Sequence, residues 1–124
     1  MGLRGRQAAV SARPAAGTLL CRLDEIADPG AKGFSFRSGD QEFAGFVVRR
    51  GAEVAGYVDS CPHAGWPLAM TPDRYLTRDG ALILCSGHGA LFEPGDGACV
   101  AGPCTGERLA AWPVAVVDGA VVTR

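Results

Sequence analysis

The chain has 124 residues, 48% of them apolar, and a formal net charge of -1. That length suits one domain with a real core and is short for two. The balanced charge offers no basic face for nucleic acid, and no apolar run approaches the ~20 residues a membrane helix needs, so neither is expected as a partner.

Residues 1–17 are expected to form a flexible N-terminal tail. They carry Arg4, Arg6 and Arg13 but no acid and no apolar h-region, which argues against a secretory signal. A transit peptide is the other reading of that composition. Thr18 to Leu23 reads as a short strand, Asp24-Glu25-Ile26 as one helical turn, and Asp28-Pro29-Gly30 as its close. Gly33 to Arg37 and Gln41 to Arg50 read as strands across a Ser38-Gly39-Asp40 turn. Gly51-Ala52 is a tight turn into a hairpin partner, Glu53 to Asp59.

From Cys61 to Gly80 this rhythm breaks into loop, with Pro62, Gly65, Pro67, Pro72 and Gly80. Thr71-Pro72-Asp73 carries a helix-start signature, which predicts a short helical turn through Arg74 to Leu76. Ala81 to Leu84 reads as a buried strand, and Gly87 to Leu91 as a turn into a strand ending near Glu93. Asp96-Gly97 is a further turn. Ala111 to Val117, Asp118-Gly119 and Ala120 to Thr123 form the clearest hairpin. Gly (18) and Pro (8) are spread through apolar segments. The pattern predicts an all-β fold, a sandwich or small barrel, with residues 18–124 as a single domain.

The chain has two histidines, and each closely follows a cysteine: Cys61-Pro62-His63 and Cys85-Ser86-Gly87-His88. Both pairs lie in Pro/Gly-rich sequence after a strand. Two tight loops offering four soft or borderline ligands describe a metal site, and short spacing keeps the closure entropy of each loop small. A single zinc ion would take all four ligands. Zinc fingers, however, usually pair Cys with Cys and His with His. A mixed pair in each loop suits a two-iron cluster, with the cysteines on one iron and the histidines on the other.

The run Cys61-Pro62-His63-Ala64-Gly65, with Cys85-Ser86-Gly87-His88-Gly89-Ala90-Leu91-Phe92 after it, resembles the Rieske [2Fe-2S] family. Gly102-Pro103 resembles that family's proline loop over the cluster, and Trp112-Pro113-Val114 with Asp118-Gly119 resembles its C-terminal hairpin. The likeness runs from about Thr18 to the C-terminus. It implies antiparallel sheets with a small cluster-binding subdomain formed by two loops. Cys61 and Cys85 would hold the buried iron, and His63 and His88 the outer iron near the surface. The stretch between His63 and Cys85 is a few residues longer than is usual in the family, which a surface loop tolerates.

Within the family, high-potential members carry a disulfide between the two loops, and the matching positions here are Trp66 and Gly87. They also place serine and tyrosine hydroxyls toward sulfur, where this chain has Ala90 and Phe92. Hydrogen bonds to sulfur favour the reduced cluster, so the resemblance implies a low-potential, ferredoxin-type member. The expected function is one-electron carriage, with a reductase as donor and an oxygenase or other oxidoreductase as acceptor. The carrier is expected to be a cytoplasmic monomer and not itself an enzyme. A complete oxygenase needs a second iron on two histidines and a carboxylate, and both histidines are already used. A Rieske small subunit of a larger oxidoreductase, and a non-redox zinc or sensor module, stay open as alternatives.

The remaining cysteines read more plainly. Cys21 is expected to be a small buried hydrophobe. Cys104, beside Gly102-Pro103, is expected to pack over the cluster, with a disulfide to Cys99 or a redox-active thiol as the other reading. Trp112 is expected in the core, and Trp66 as a shielding or docking aromatic. Arg49-Arg50 reads as a solvated strand end.

Overall fold

The computed structural model describes residues 12–62, 67–87 and 89–124. Its strands are β1 (Leu19–Arg22), β2 (Gly30–Ser38), β3 (Gln41–Arg50), β4 (Glu53–Val58), β5 (Ile83–Leu84), β6 (Leu91–Phe92), β7 (Cys99–Ala101), β8 (Val114–Val117) and β9 (Ala120–Thr123). A one-turn 3-10 helix at Leu23–Glu25 stands where a helical turn is expected. The strands form three antiparallel three-stranded sheets, β1-β9-β8, β2-β3-β4 and β5-β6-β7. The all-β expectation therefore holds.

The middle sheet is a wall between two cores, and the alternation of side chains along β3 builds it. Phe46 and Val48 face one core with Tyr57, Ile83, Phe92 and Leu109. Val47 faces the other with Trp112, Ile26, Cys21 and Val121. A strand buried on both faces reads as a continuous apolar run, which is what Phe46-Val47-Val48 is. Trp112 fills the second core as expected, with Phe43, Phe34 and Phe36 edge-on around it at centroid distances of 5.1, 6.2 and 6.2 Å. Such edge-to-face contacts add to area burial. Gly45 is required there, because a Cβ would run into the indole ring.

The Asp118-Gly119 hairpin closes with both residues at positive φ, 50° and 76°, the turn that Asp-Gly favours. The expected tail is described only from Ala12 onward. There the Gly17 N–H donates to Thr123 O at 2.8 Å and Thr123 Oγ1 to Ala15 O at 2.8 Å, so Ala15 and Gly17 are fastened to the last strand. Residues 1–11 lie outside the described residues.

Two local expectations are corrected. No helix follows Thr71-Pro72. Asp73 adopts φ 64°, and its Oδ1 accepts the Gly33 N–H at 2.8 Å, so the backbone reverses instead of winding on. Arg49 is not a solvated strand end. Its Nη1 donates to Ile26 O at 2.9 Å and Leu23 O at 3.2 Å, and its Nε to Gly51 O at 2.8 Å. One guanidinium thus pins the chain after the 3-10 turn to the β3–β4 hairpin.

Candidate metal centre

The first ligand loop leaves the end of β4. Asp59, Ser60 and Cys61 follow directly. One carboxylate ties this start of the loop to residues further along it. Asp59 Oδ1 accepts the Leu68 N–H at 2.8 Å and Oδ2 accepts the Tyr75 hydroxyl at 2.9 Å. Tyr75 is itself held flat against Phe46, with rings 4.2 Å apart and 7° from parallel. Burial and the neighbouring Asp59 carboxylate push the Tyr75 phenol above its ordinary range. It therefore stays a donor to Asp59 at neutral pH.

The second ligand loop joins β5 to β6. The Cys85 N–H donates to Ala90 O and the Gly89 N–H to Cys85 O, both at 2.9 Å. Gly89 has φ 74°, a conformation that glycine adopts without steric cost. The two loops are tied to each other as well, because the Ser86 N–H donates to Leu68 O at 2.8 Å. Asp59, Leu68 and Ser86 thus form one continuous chain of hydrogen bonds from the first loop to the second.

Cys61 and Cys85 are each 1% exposed and share the same apolar core. The donor set fits an iron-sulfur cluster at this position. Thiolate sulfur is the ligand such clusters use, and these two sulfurs are buried at the roots of two loops that are tied together. A Cβ on Gly87 would sit 3.9 Å from the Cys85 sulfur, so the Gly87 backbone passes close to that atom. His63 and His88 lie outside the described residues, as do Ala64, Gly65 and Trp66. Among the described residues no three His, Cys, Asp or Glu side chains come together as a metal-holding group, so neither Cys99 nor Cys104 completes such a group with Cys61 and Cys85.

A third segment lies against the second loop. Gly102 has φ 100°, and a Cβ there would fall 2.7 Å from Ala90 Cα. Only glycine lets the backbone approach so closely. Cys104 is 1% exposed beyond it and Cys99 7% exposed before it, and their sulfurs are 2.8 Å apart. Burial pushes the Cys104 thiol above its ordinary range, reinforced by Cys99 and by nearby Cys61. All five cysteines are buried, and no disulfide joins any of them.

A match to the Rieske [2Fe-2S] domain family covers residues 18–117, and the chain belongs to that family, whose cofactor is a [2Fe-2S] cluster. The ferredoxin of carbazole 1,9a-dioxygenase from Nocardioides aromaticivorans IC177 superposes with a TM-score of 0.66 at 23% identity, over 88% of this chain and 97% of that one. The Sphingomonas yanoikuyae B1 ferredoxin superposes at 0.63 with 26% identity, over 86% and 96%. The terminal oxygenase of the Nocardioides system superposes at 0.69 with 22% identity, over 87% of this chain but 29% of its own. Comparison with curated proteins gave no match.

The sequence motifs account for the two buried cysteines. They do not reveal Asp59 and Tyr75, whose only signal is an acid placed just before Cys61 and an aromatic in the loop after it. Strand β7 also goes unread. It is only three residues long, too short to carry an alternation of its own, although it pairs with β6 across the expected Asp96-Gly97 turn.

Proposed function

We propose that the chain is a ferredoxin-type one-electron carrier that supplies an oxygenase or another oxidoreductase. The observation that carries this reading is the pair of buried cysteines, Cys61 and Cys85, on two hydrogen-bonded loops within a Rieske domain. In this reading Cys61 and Cys85 hold one iron, His63 and His88 hold the other, and residues 18–124 are one domain. When bound, the cluster supplies reversible one-electron chemistry.

The chain's own residues then have two tasks. The apolar core around the two cysteines, Leu68, Ala90 and Phe92 among it, keeps water from the sulfurs. The Asp59, Leu68 and Ser86 chain fixes one loop against the other, so that the ligand set is held before and after a change of charge. Both histidines of the sequence are taken by the cluster, which leaves none for a two-histidine, one-carboxylate iron on this chain. That supports a carrier over a catalyst.

A solved neighbour, 26% identical with a TM-score of 0.63, is a complex of reduced oxygenase and oxidized ferredoxin in carbazole 1,9a-dioxygenase. By that likeness we assign an oxygenase as acceptor, and from the sequence resemblance a reductase as donor. No helix among the described residues is long and apolar enough to cross a membrane. Buried cysteines without disulfides fit a reducing compartment, which favours the cytoplasm.

The ligand assignment is tested by replacing Cys61, His63, Cys85 and His88 singly with alanine and counting iron in protein purified without air. Each variant is expected to lose iron and visible colour, whereas Cys21→Ala keeps both. Full iron in any of the four ligand variants would remove that residue from the set.

A further inference from the structure

We propose that Cys99 and Cys104 form a reversible dithiol–disulfide couple, oxidised by hydrogen peroxide, on the loop that packs against Ala90. Their sulfurs lie 2.8 Å apart, with the Cys104 thiol donating to Cys99 sulfur and the Cys99 thiol to Ala101 O at 3.3 Å. A disulfide bond is about 2.05 Å long. Closing the pair therefore shortens one distance by less than ~1 Å and leaves the loop's frame intact.

That frame is independent of the sulfurs. The Cys99 N–H donates to Glu107 O at 2.8 Å, and the Glu107 N–H to Cys104 O at 2.9 Å. Thr105 Oγ1 donates to Gly102 O at 2.8 Å. The backbone thus brings the two cysteines together in the reduced protein, and oxidation adds a covalent link across a turn already formed. Both thiols are nearly enclosed, so the oxidant must be small. Peroxide meets that requirement, and Cys99, the more exposed of the two, is the sulfur it reaches first.

The reaction balances in two steps. Cys99 sulfur attacks one peroxide oxygen, the O–O bond breaks, water leaves, and Cys99 becomes a sulfenic acid. The Cys104 S–H then gives its proton to that hydroxyl as its sulfur displaces it, a second water leaves, and the S–S bond forms. Two electrons pass from the sulfurs to the peroxide oxygens, and both thiol hydrogens leave in water. A small-molecule thiol reverses the change by exchange. The bridge would fasten the segment that rests on Ala90 and would remove the Cys104 S–H that now donates to Cys99. It is a different link from the inter-loop disulfide of high-potential relatives, whose positions here are Trp66 and Gly87.

The test uses the holoprotein, treated with a small excess of hydrogen peroxide, denatured, alkylated and cut before Asp96 so that Cys99 and Cys104 are separated from Cys85. The expected peptide carries no alkyl group, has lost two hydrogens, and regains two alkylated thiols after reduction. Its thiols should be lost several times faster than that of Cys21, which lies in the other core. In Cys104→Ser the bridge should not form, and Cys99 should be found as a sulfenic acid or a mixed disulfide. Thiols that alkylate fully after treatment, a bridge to Cys61 or Cys85, or a sulfinic acid on Cys99 would each overturn the proposal. The pair stands on its own geometry, so its failure and that of the cluster reading are read separately.

Discussion

The Tyr75 hydroxyl donates to Asp59 Oδ2 at 2.9 Å, and the other oxygen of the same carboxylate accepts the Leu68 N–H at 2.8 Å. One side chain therefore closes the loop that begins at Cys61. Leu68 O in turn receives the Ser86 N–H from the second ligand loop. This path ties the loop that holds Cys61 to the loop that holds Cys85.

Replacing Asp59 with alanine leaves the Tyr75 hydroxyl and the Leu68 N–H without their acceptor. The expected cost is about 2–4 kcal/mol, read by denaturant unfolding, with a fall in iron per chain. Tyr75→Phe keeps the stack on Phe46 and removes one bond, and should cost about 1 kcal/mol with iron retained. Equal stability in all three proteins would show that the carboxylate does not hold the loop.

Alkaline pH should destabilise the fold through its two buried tyrosines. Tyr57 donates to Pro94 O at 2.6 Å, and burial, with Asp96 and Glu93 nearby, pushes its pKa from 10.0 to about 12. Tyr75 moves in the same direction. Because the folded state holds these protons more tightly, their contribution is fully present below pH 10.0 and is lost as pH rises through the folded values. Between the two, unfolding free energy should fall by up to about 1.4 kcal/mol per pH unit for each tyrosine. Urea titrations from neutral to alkaline pH should show that fall, and Tyr57→Phe should make it shallower. A flat profile would contradict the shift.

Arg49 bonds three backbone carbonyls with one planar guanidinium. Arg49→Ala should cost about 2–3 kcal/mol in thermal or denaturant unfolding, as bonds from a charged donor are lost. Arg49→Lys should recover only part, since an ammonium cannot reproduce the fork. A lysine variant as stable as the native chain would mean that charge alone matters there.

Ala90 is fully buried in the second loop, and the sequence resemblance matches it to the serine of high-potential family members. Ala90→Ser should raise the midpoint potential within the Rieske range of roughly −150 to +300 mV, because a hydrogen bond to sulfur favours the more negative, reduced cluster. Redox titration of a fully loaded variant reads this directly. An unchanged or lower potential would show that the added hydroxyl does not reach sulfur.

Much of the fold is legible in the chain because its turns are local. Gly51-Ala52 and Asp118-Gly119 mark hairpins whose strands begin and end beside them. The cysteine motifs are local too, each ligand pair lying within a few residues. What escapes is non-local. Thr71-Pro72-Asp73 looks like a helix start until Asp73 is seen to accept from Gly33, 40 residues away. Arg49 looks solvated until the Leu23 and Ile26 carbonyls are brought to it across more than 20 residues. Asp59 and Tyr75, 16 apart, belong to the same class.

The central claim is that this chain carries a histidine-ligated two-iron cluster that accepts single electrons. Iron and acid-labile sulfide should be counted on protein purified without air, with visible and EPR spectra taken before and after dithionite. The account predicts two irons and two sulfides per chain, a red-brown colour that bleaches on reduction, and an EPR signal present only in the reduced protein. A colourless protein with one zinc per chain and no signal in either state would contradict it.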